Sequence, residues 1–295
     1  MILTSPSLLL EIEPVWGGGL VRFDWIADGA VTPLMRTFEP TTALSSSSMP
    51  DPNRLACYPL IPWSGRVSGG GFSIDGRRVE LALNRSDEAW PIHGSGWQRM
   101  WRVADASASE ASLTLDETSV DGYSYRASLH YALDDKTLVV TLSATNTGAV
   151  AMPFGLGLHP FFPRHGEARL HAPAHGVWRN DGRTPMPVER IGVPAAWDFA
   201  RDIALPEDLD NFFDGWNGRA AIRWPRRGLR LDIDADADRY IVYAPAQRDF
   251  FCFEPVDHAV DAVNMPGGAA ANGMTVLAPE KTLTRRYSFR ASIES

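Results

Sequence analysis

The sequence contains little of what several protein classes require. Its 295 residues include two cysteines, Cys57 and Cys252, which are too few for a disulfide framework, and no Cys-x-x-Cys pair offers a zinc site. The formal net charge of -8 argues against a nucleic-acid-binding protein, which needs a basic surface. The first ten residues lack a positively charged segment and a long apolar run. These absences predict a cytoplasmic protein with neither a nucleic-acid nor a membrane partner.

Short runs of alternating apolar and polar residues, separated by Gly, Asn or Asp, dominate the chain instead. The clearest hairpin signal is Asp75-Gly76, which lies between two such runs. Comparable alternation occurs at 129–142, 229–233 and 287–293. Helix-period stripes longer than two turns are hard to find, and scattered prolines would break most candidate helices. The pattern predicts an all-β protein, a large antiparallel β-sandwich, with residues 1–295 forming a single domain.

Two stretches lack this alternation. Residues 41–52 include four consecutive serines and are typical of a surface loop. Residues 165–198 are rich in Gly and Pro and predict a long irregular insertion between strands. Neither stretch has the composition of a linker, so the prediction of one domain is unchanged.

One glutamate has an unusual sequence context. Glu254 is flanked by Cys252, Phe253 and Pro255, so we expect it at the end of a largely apolar strand. Burial there would disfavour the charged carboxylate and raise its pKa, which produces a base that is useful near neutral pH. Most glutamates at strand ends are solvated or paired with a cation, and Glu254 alone does not establish a functional site.

Two histidines share this kind of context. His93 lies within residues 90–97 and His159 within residues 154–162, and both segments are apolar turns punctuated by Gly and Pro. Lone histidines in such turns are often structural, with the ring hydrogen-bonded to backbone carbonyl groups. Among the other histidines, His258 is a further candidate because it follows the glutamate closely.

Several chemistries use a combination of histidines and a glutamate. Metal sites commonly use His and Glu ligands, but these two histidines are on separate segments and lack a short ligand spacing. A serine nucleophile is poorly supported, because no Gly-x-Ser-x-Gly elbow occurs. Acid–base chemistry by His and Glu remains, and we predict that it uses neither a metal nor a cofactor.

The ten tryptophans favour a small-molecule sugar as the partner. Several lie beside Gly or Pro turns, among them Trp63, Trp90 and Trp97. Aromatic faces suit the C–H faces of a pyranose, while Arg and Asp side chains fix the directions of hydroxyl groups. For any single tryptophan the core is the commoner location. We expect a monomer or a homodimer.

Five short motifs follow one another along the chain. They are Gly17-Gly18-Gly19; Ser64-Gly65-Arg66-Val67 with Gly69-Gly70-Gly71-Phe72; Ile92-His93-Gly94 with Gly96-Trp97; Leu158-His159-Pro160-Phe161-Phe162; and Glu254-Pro255 with Asp261-Ala262-Val263-Asn264. Each motif is weak alone, but five in one order are specific. Together they resemble the motifs of the aldose 1-epimerase, or galactose mutarotase-like, family, and the resemblance extends over nearly the whole chain.

The resemblance implies a β-supersandwich with a sugar cleft and the interconversion of α and β anomers. By motif position, Glu254 would be the general base on the anomeric hydroxyl and His159 the general acid on the ring oxygen. His93 would assist at the ring oxygen or hydrogen-bond the substrate. Arg66 would hold hydroxyl groups, and Asp210 matches the substrate-binding aspartate, with Asp208 as the alternative.

Departures from the family pattern leave the sugar open. Gly65-Arg66 occupies the place of the usual Asn-Arg, and Ala278-Pro279-Glu280 replaces Pro-Gly-Glu. One alternative is therefore an epimerase of a phosphorylated or sulfonated sugar, for which Arg36, Arg54 and Arg164 are candidate anion-binding residues. Another is a non-catalytic carbohydrate-binding protein on the same scaffold, which would be expected to lack the glutamate or one histidine. A glycoside hydrolase would need a second well-placed carboxyl group.

Overall fold

Strands make up most of the regular structure. The computed structural model describes residues 1–38 and 51–294, so residues 41–50 of the predicted surface loop lie outside the described residues. The described strands are β1 (Ile2–Thr4), β2 (Leu8–Glu13), β3 (Gly19–Ala27), β4 (Ala30–Pro33), β5 (Pro59–Leu60), β6 (Gly71–Ile74), β7 (Arg77–Glu80), β8 (Arg102–Ala106), β9 (Glu110–Val120), β10 (Tyr123–Asp134), β11 (Thr137–Asn146), β12 (Met152–Phe154), β13 (Gly157–Leu158), β14 (Phe161–Pro163), β15 (Arg169–His171), β16 (Gly176–Arg179), β17 (Glu189–Ile191), β18 (Ile203–Ala204), β19 (Leu209–Asp214), β20 (Arg219–Trp224), β21 (Leu229–Ala235), β22 (Arg239–Ala244), β23 (Phe250–Val256), β24 (Thr275–Leu277) and β25 (Thr282–Ile293).

Helical structure is short throughout the described residues. The α-helix found there, α1, spans Gly268–Ala271. The 3₁₀ turns are Pro52–Arg54, Ser68–Gly70, Gly96–Gln98, Ala195–Trp197, Phe199–Arg201 and Pro225–Arg227. No helix in the described ranges has the length and apolar character needed to cross a membrane.

Two large antiparallel sheets form the body of the β-sandwich. The larger has nine strands in the order β18-β15-β20-β21-β25-β11-β10-β9-β8. The second has eight strands in the order β17-β16-β19-β22-β23-β13-β5, with β14 also paired to β23. A four-stranded sheet, β1 to β4, and the small pairs β12-β24 and β6-β7 complete the described part. The predicted all-β sandwich is confirmed.

Alternation in the sequence decides which face of each strand is buried. On β11 every second residue, from Leu138 to Ala144, is buried, because successive side chains of a strand point to opposite faces. Hydrogen bonds also join the two layers: Tyr240 Oη donates to the Ala172 carbonyl at 2.8 Å, and Trp224 Nε1 donates to the Pro163 carbonyl at 2.8 Å. The buried side chains between the sheets form one continuous hydrophobic cluster.

One face of the eight-stranded sheet positions the candidate site. Asp210 of β19 is opposite Tyr243 of β22, and Tyr243 is opposite Cys252 of β23. Glu254 lies two residues further along β23 and therefore shares a face with Cys252. Strand pairing thus brings together side chains that are more than forty residues apart in the chain.

The sequence prediction for the longest turn-rich stretch is wrong in one respect. Residues 165–198 were predicted as an irregular insertion, but they contain β15, β16 and β17. Each of these strands has three or four residues, too few for a recognisable period of two. The hairpin at Asp75-Gly76 is confirmed: both residues have positive φ, at 48° and 71°, as a two-residue type I′ turn requires.

The alternation on β25 gives a direct test of the core. Phe289 is fully buried, whereas the next residue, Arg290, is largely exposed. We expect Phe289→Ala to lower the free energy of unfolding by about 3–5 kcal/mol, because a large cavity replaces the ring. Urea denaturation followed by circular dichroism measures this change.

Arg290→Ala is the matched control on the same strand. It removes an exposed side chain whose nearest carboxylate oxygen, on Asp232, is 3.7 Å away, so its effect should stay below about 1 kcal/mol. Equal losses for the two variants would contradict the assignment of Phe289 to the core between the sheets.

Candidate active site

A cavity of about 570 Å³ lies over the face of the eight-stranded sheet that carries Asp210, Tyr243 and Glu254. All five residues predicted from the sequence line it: Arg66, His93, His159, Asp210 and Glu254. They come from three separate loops and two strands. The structure therefore brings the predicted residues together in one place.

His159 and Glu254 form the closest pair in this group. The His159 Nε2 atom lies 3.3 Å from Glu254 Oε1, and the two residues are only 6% and 2% exposed. Within residues 1–38 and 51–294, neither His159 Nδ1 nor Glu254 Oε2 has a hydrogen-bond partner. Buried polar atoms are usually paired, so two unpaired atoms on neighbouring side chains set this place apart from the rest of the core.

Aromatic rings hold the His159 imidazole in place. Tyr58 stacks on the ring with a centroid distance of 4.6 Å, and Phe161 stacks on it at 4.7 Å. The Arg36 guanidinium lies 3.8 Å from the Phe161 centroid, so a cation ends this stack. The backbone is also fixed, because the His159 N–H donates to the Tyr58 carbonyl at 2.9 Å.

Burial shifts the pKa values of the pair in opposite directions. Desolvation raises the pKa of Glu254 well above its usual range, and nearby Asp210 adds to this effect while Arg66 opposes it. Desolvation lowers the pKa of His159 to about 3, and the positive charges of Arg36 and Arg66 act in the same direction. Burial therefore favours the neutral forms of both groups in the free protein.

His93 is held in an uncommon backbone conformation beside the pair. Its φ of 62° is in the left-handed region, and its ring meets that of His159 edge to face at a centroid distance of 5.3 Å. The Gly65 N–H donates to His93 Nδ1 at 3.1 Å, so the ring proton must be on Nε2. Desolvation, with the neighbouring His159 and Arg66, lowers the pKa of His93 well below its usual range. His93 is thus a neutral donor through Nε2.

Arg66 is oriented by an acidic partner. Its Nε and Nη2 donate to the two carboxylate oxygens of Glu88 at 2.8 and 2.7 Å, a bidentate pair that fixes the guanidinium plane. Its Nη1 forms no hydrogen bond with any described residue. Because Arg66 lines the cavity, this group is free to donate to a ligand hydroxyl.

The structure distinguishes Asp210 from Asp208. Asp210 lines the cavity, and its carboxylate accepts no hydrogen bond from the described residues. Burial raises the pKa of Asp210, although Arg66 opposes this shift. Asp208 is exposed, has a φ of 61° and is not among the described residues that line the cavity. Asp210 is therefore the carboxylate that a ligand in the cavity can reach.

The three arginines suggested as anion-binding residues for a charged sugar do not all line the cavity. Arg36 lines the cavity, but its Nη2 donates to the carbonyl groups of Asn53 and Leu55. Arg54 and Arg164 are not among the described residues that line it. Arg164 donates instead to the carbonyl groups of Phe250 and Pro206, and Arg54 lies over the Phe38 ring.

Two further arginines line the cavity and were not predicted. Arg85 is paired with Asp87 and Asp51. Arg248, in the exposed turn between β22 and β23, forms no hydrogen bond or ion pair with any residue of the described ranges. Sequence patterns could not identify either arginine, because both are in polar loops that look like ordinary surface.

One cluster has the residue types of a metal site. His159, Cys252 and Glu254 present ligand atoms that lie within 4.8 Å of one another. Metals bind the thiolate, but desolvation and then the charge of Glu254 raise the pKa of the Cys252 thiol well above its usual range. Burial thus works against metal binding at this cluster, and metal-independent chemistry remains a prediction.

Several other cavity residues were also missed by the sequence analysis. Trp178, Tyr243 and Phe250 contribute aromatic surface, and Glu88 orients Arg66. Glu88 is 22 residues from its partner and no local pattern connects them. Phe161 could have been found, because it follows His159 by two residues and so lies on the same side of an extended segment.

Sequence comparison identifies relatives over the whole length of the chain. A family model described as aldose 1-epimerase matches residues 15–290. The chain is 33% identical over 298 residues to the uncharacterized protein YphB of Escherichia coli, covering 98% of this chain and 97% of YphB. It is 26% identical over 218 residues to the uncharacterized protein YihR of the same organism, covering 70% of each.

Solved structures show the same architecture. A protein from Escherichia coli, proposed to be an aldose 1-epimerase, superposes with a TM-score of 0.88 at 32% identity, covering 99% of this chain and 98% of that one. A galactose mutarotase-like protein from Clostridium acetobutylicum has a TM-score of 0.84 at 18% identity, over 99% and 94% of the two chains, and shares the fold. These matches confirm the family resemblance read from the sequence motifs. The chain belongs to the aldose 1-epimerase family.

Proposed function

We propose that the protein is a mutarotase that interconverts the α and β anomers of an aldose by acid–base opening and closure of the ring. The observation that carries this proposal is the buried pair of His159 and Glu254, with Nε2 and Oε1 3.3 Å apart at a cavity. Mutarotation requires one proton to leave the anomeric hydroxyl while another reaches the ring oxygen. A carboxyl group and an imidazole that share a proton supply both functions.

The reaction proceeds through the open-chain aldehyde. Glu254 takes the proton from the C1 hydroxyl, His159 delivers a proton to the ring oxygen, and the bond between C1 and that oxygen breaks as the C1 carbonyl forms. Rotation about the bond between C1 and C2 then exposes the other face of the aldehyde. The reverse transfers close the ring as the opposite anomer, and both side chains regain their starting protons.

His159 and Glu254 together hold the same number of protons in both of the forms that this cycle uses. Glutamic acid with neutral imidazole holds as many protons as carboxylate with imidazolium, so the two forms differ only in the position of one proton. Burial favours the first form in the free protein, because it separates no charge. The proton moves to His159 as the anomeric hydroxyl donates to Glu254.

The remaining polar groups of the cavity bind and orient the sugar. Arg66, fixed by Glu88, offers Nη1 to hydroxyl groups, and the unpaired carboxylate of Asp210 accepts from them. His93 donates through Nε2–H toward the ring oxygen region. Binding in a fixed orientation converts both proton transfers into steps within one complex, which accounts for part of the rate.

Replacing either member of the pair should abolish most of the activity. We expect Glu254→Gln to lower turnover by a factor on the order of 10² or more, because the amide cannot accept the anomeric proton. His159→Asn should have a similar effect. The double variant should be little slower than either single variant, because each transfer depends on the other. Stopped-flow polarimetry on freshly dissolved pure anomers measures these rates.

Glu280→Gln is the matched control, since Glu280 is an exposed glutamate in a turn. It should retain the turnover of the unmodified protein. Turnover of Glu254→Gln close to that of the control, on the best aldose found, would show that Glu254 is not the acid–base group.

The protonation of Glu254 can be observed directly. Because its pKa is raised, the carboxyl group should stay protonated at pH values where an ordinary glutamate is ionised. Infrared spectroscopy at such a pH should then show a protonated carboxyl band that Glu254→Gln lacks and Glu280→Gln keeps. Turnover should fall at high pH as this proton is lost, and fall at acid pH only as His159, with its pKa of about 3, is protonated. A Glu254 that titrates in the ordinary range of glutamates would be inconsistent with this protonation state.

A second candidate function is the epimerisation of an anionic sugar. Arg248 favours it, because it is exposed at the cavity and has no carboxylate partner among the described residues. A sugar phosphate or sulfonate reaching from the cavity to this turn would gain a charge-assisted hydrogen bond. The other three cavity arginines, Arg36, Arg66 and Arg85, have acidic, backbone or aromatic partners.

The two candidates differ in their response to loss of Arg248. If the substrate is a hexose 6-phosphate, Arg248→Ala should raise its KM by about tenfold or more and leave kcat nearly unchanged, because the contact is equal in ground and transition states. Turnover of a neutral hexose should not change. Arg102→Ala, which removes an exposed arginine on β8, is the control. An unchanged KM for every anionic sugar tested would exclude this role.

A further inference from the structure

A buried histidine that does not line the cavity is hydrogen-bonded to a loop of the candidate site. His258 is 2% exposed and is not among the described residues that line the cavity. Its Nδ1 lies 2.8 Å from the Ala259 carbonyl oxygen, which can only accept, so Nδ1 carries the proton. Its Nε2 is then an acceptor, and the Ser64 N–H donates to it at 3.0 Å.

The residue after Ser64 holds His93. The Gly65 N–H donates to His93 Nδ1 at 3.1 Å, and the His93 N–H donates back to the Gly65 carbonyl at 2.8 Å. Gly65 adopts a φ of 65°, and a Cβ there would meet Val260 Cγ2 at 3.0 Å. A side chain at this position would therefore be strained, and the two hydrogen bonds to His93 hold the peptide groups on either side of Gly65. The Gly65 N–H therefore determines the tautomer of His93, because donation to Nδ1 leaves the ring proton on Nε2.

Neighbouring contacts fix His258 and the same loop. A Cβ on Gly155 would lie 2.0 Å from His258 Cδ2, so the imidazole packs directly on that glycine. Asp261, three residues further on, donates its N–H to the Arg66 carbonyl at 3.0 Å. Its carboxylate accepts from the Ser68 N–H at 2.9 Å and from Ser68 Oγ at 2.6 Å. The hydrogen bonds of Asp261 therefore hold the loop that carries Arg66 against the segment that follows Glu254.

We propose that His258 is a positioning residue for the acid–base site. By accepting from the Ser64 N–H it fixes the Trp63–Ser64 peptide and with it the position of Ser64, and the Gly65 N–H of the next peptide then holds His93 with Nε2–H directed to the cavity. The geometric part of this inference concerns the protein without sugar. Its effect on turnover rests on the proposed mutarotase function, in which His93 donates toward the ring oxygen.

Nuclear magnetic resonance of the free protein tests the geometry. Nitrogen–nitrogen couplings across the two N–H···N hydrogen bonds should be detectable, one between Ser64 N and His258 Nε2 and one between Gly65 N and His93 Nδ1. The ring nitrogens of His93 should show a single tautomer with the proton on Nε2. Absence of the Ser64–His258 coupling in the unmodified protein would overturn the proposal.

Substitutions then test the connection between the two histidines. His258→Leu removes the acceptor, so the Gly65–His93 coupling should weaken and the second tautomer of His93 should appear. Turnover should fall by about tenfold through kcat, since a catalytic donor loses its fixed orientation. His258→Gln provides an amide oxygen that can accept from the Ser64 N–H, and it should restore the coupling and most of the turnover.

Two controls separate positioning from general destabilisation. Ser64→Ala keeps the backbone donor and loses only Oγ, which lies 3.3 Å from His258 Nε2, so it should behave like the unmodified protein. His130→Leu makes the same change at another His–Ser pair, on β10 in the nine-stranded sheet, and should leave His93 and turnover unaffected.

The remaining outcomes are also decisive. A folded His258→Leu with an unchanged Gly65–His93 coupling would overturn the proposal, whatever its turnover. A lost coupling with unchanged turnover would support the positioning of His93 while removing its part in the proposed reaction. If His258→Leu fails to fold, the couplings in the unmodified protein and in His258→Gln decide the question.

Discussion

A carboxyl group and an imidazole lie side by side in a part of the protein that excludes most water, and the rest of the site depends on this contact. Burial disfavours charge on either group, so Glu254 and His159 are most stable as a neutral pair that shares one transferable proton. Such a pair can lose a proton to one oxygen and gain it from another without a change in net charge. The same burial makes a precise arrangement necessary, because each unpaired polar atom costs free energy until a ligand reaches it.

The β-sandwich supplies this precision with parts that are far apart in sequence. Pairing of β22 with β23 places Glu254 opposite Ile241, and the packing of Tyr58 and Phe161 against His159 fixes the imidazole plane. The loop that carries Arg66 is held by hydrogen bonds from the backbone N–H groups of Ser64 and Ser68 to the side chains of His258 and Asp261, which follow Glu254 in the chain. Acidic partners orient two of the cavity arginines, Arg66 with Glu88 and Arg85 with Asp87 and Asp51. These contacts are all formed in the protein without a bound sugar.

Much of this arrangement could be predicted from the sequence where the local pattern is strong. Alternation and the Asp75-Gly76 turn predict the long strands and a tight hairpin, and Gly/Pro-punctuated apolar turns single out His93 and His159. The short strands between residues 165 and 198 could not be predicted, because three or four residues hold no period and their pairing is decided by the core. Trp178 on β16 was missed for that reason. The pairing of Arg66 with Glu88 and the exposure of Arg248 arise only from the folded chain.

Exchange spectroscopy by proton nuclear magnetic resonance gives the most direct test of the proposed activity. A panel of equilibrated aldoses, both neutral and anionic, is recorded with and without a catalytic amount of the protein. The account predicts exchange cross-peaks between the α and β anomeric protons of at least one sugar in the presence of the protein, and none on the same timescale without it. A folded protein that produces no such cross-peaks with any sugar of the panel would contradict the assignment of mutarotase activity and would favour a carbohydrate-binding role for the same cavity.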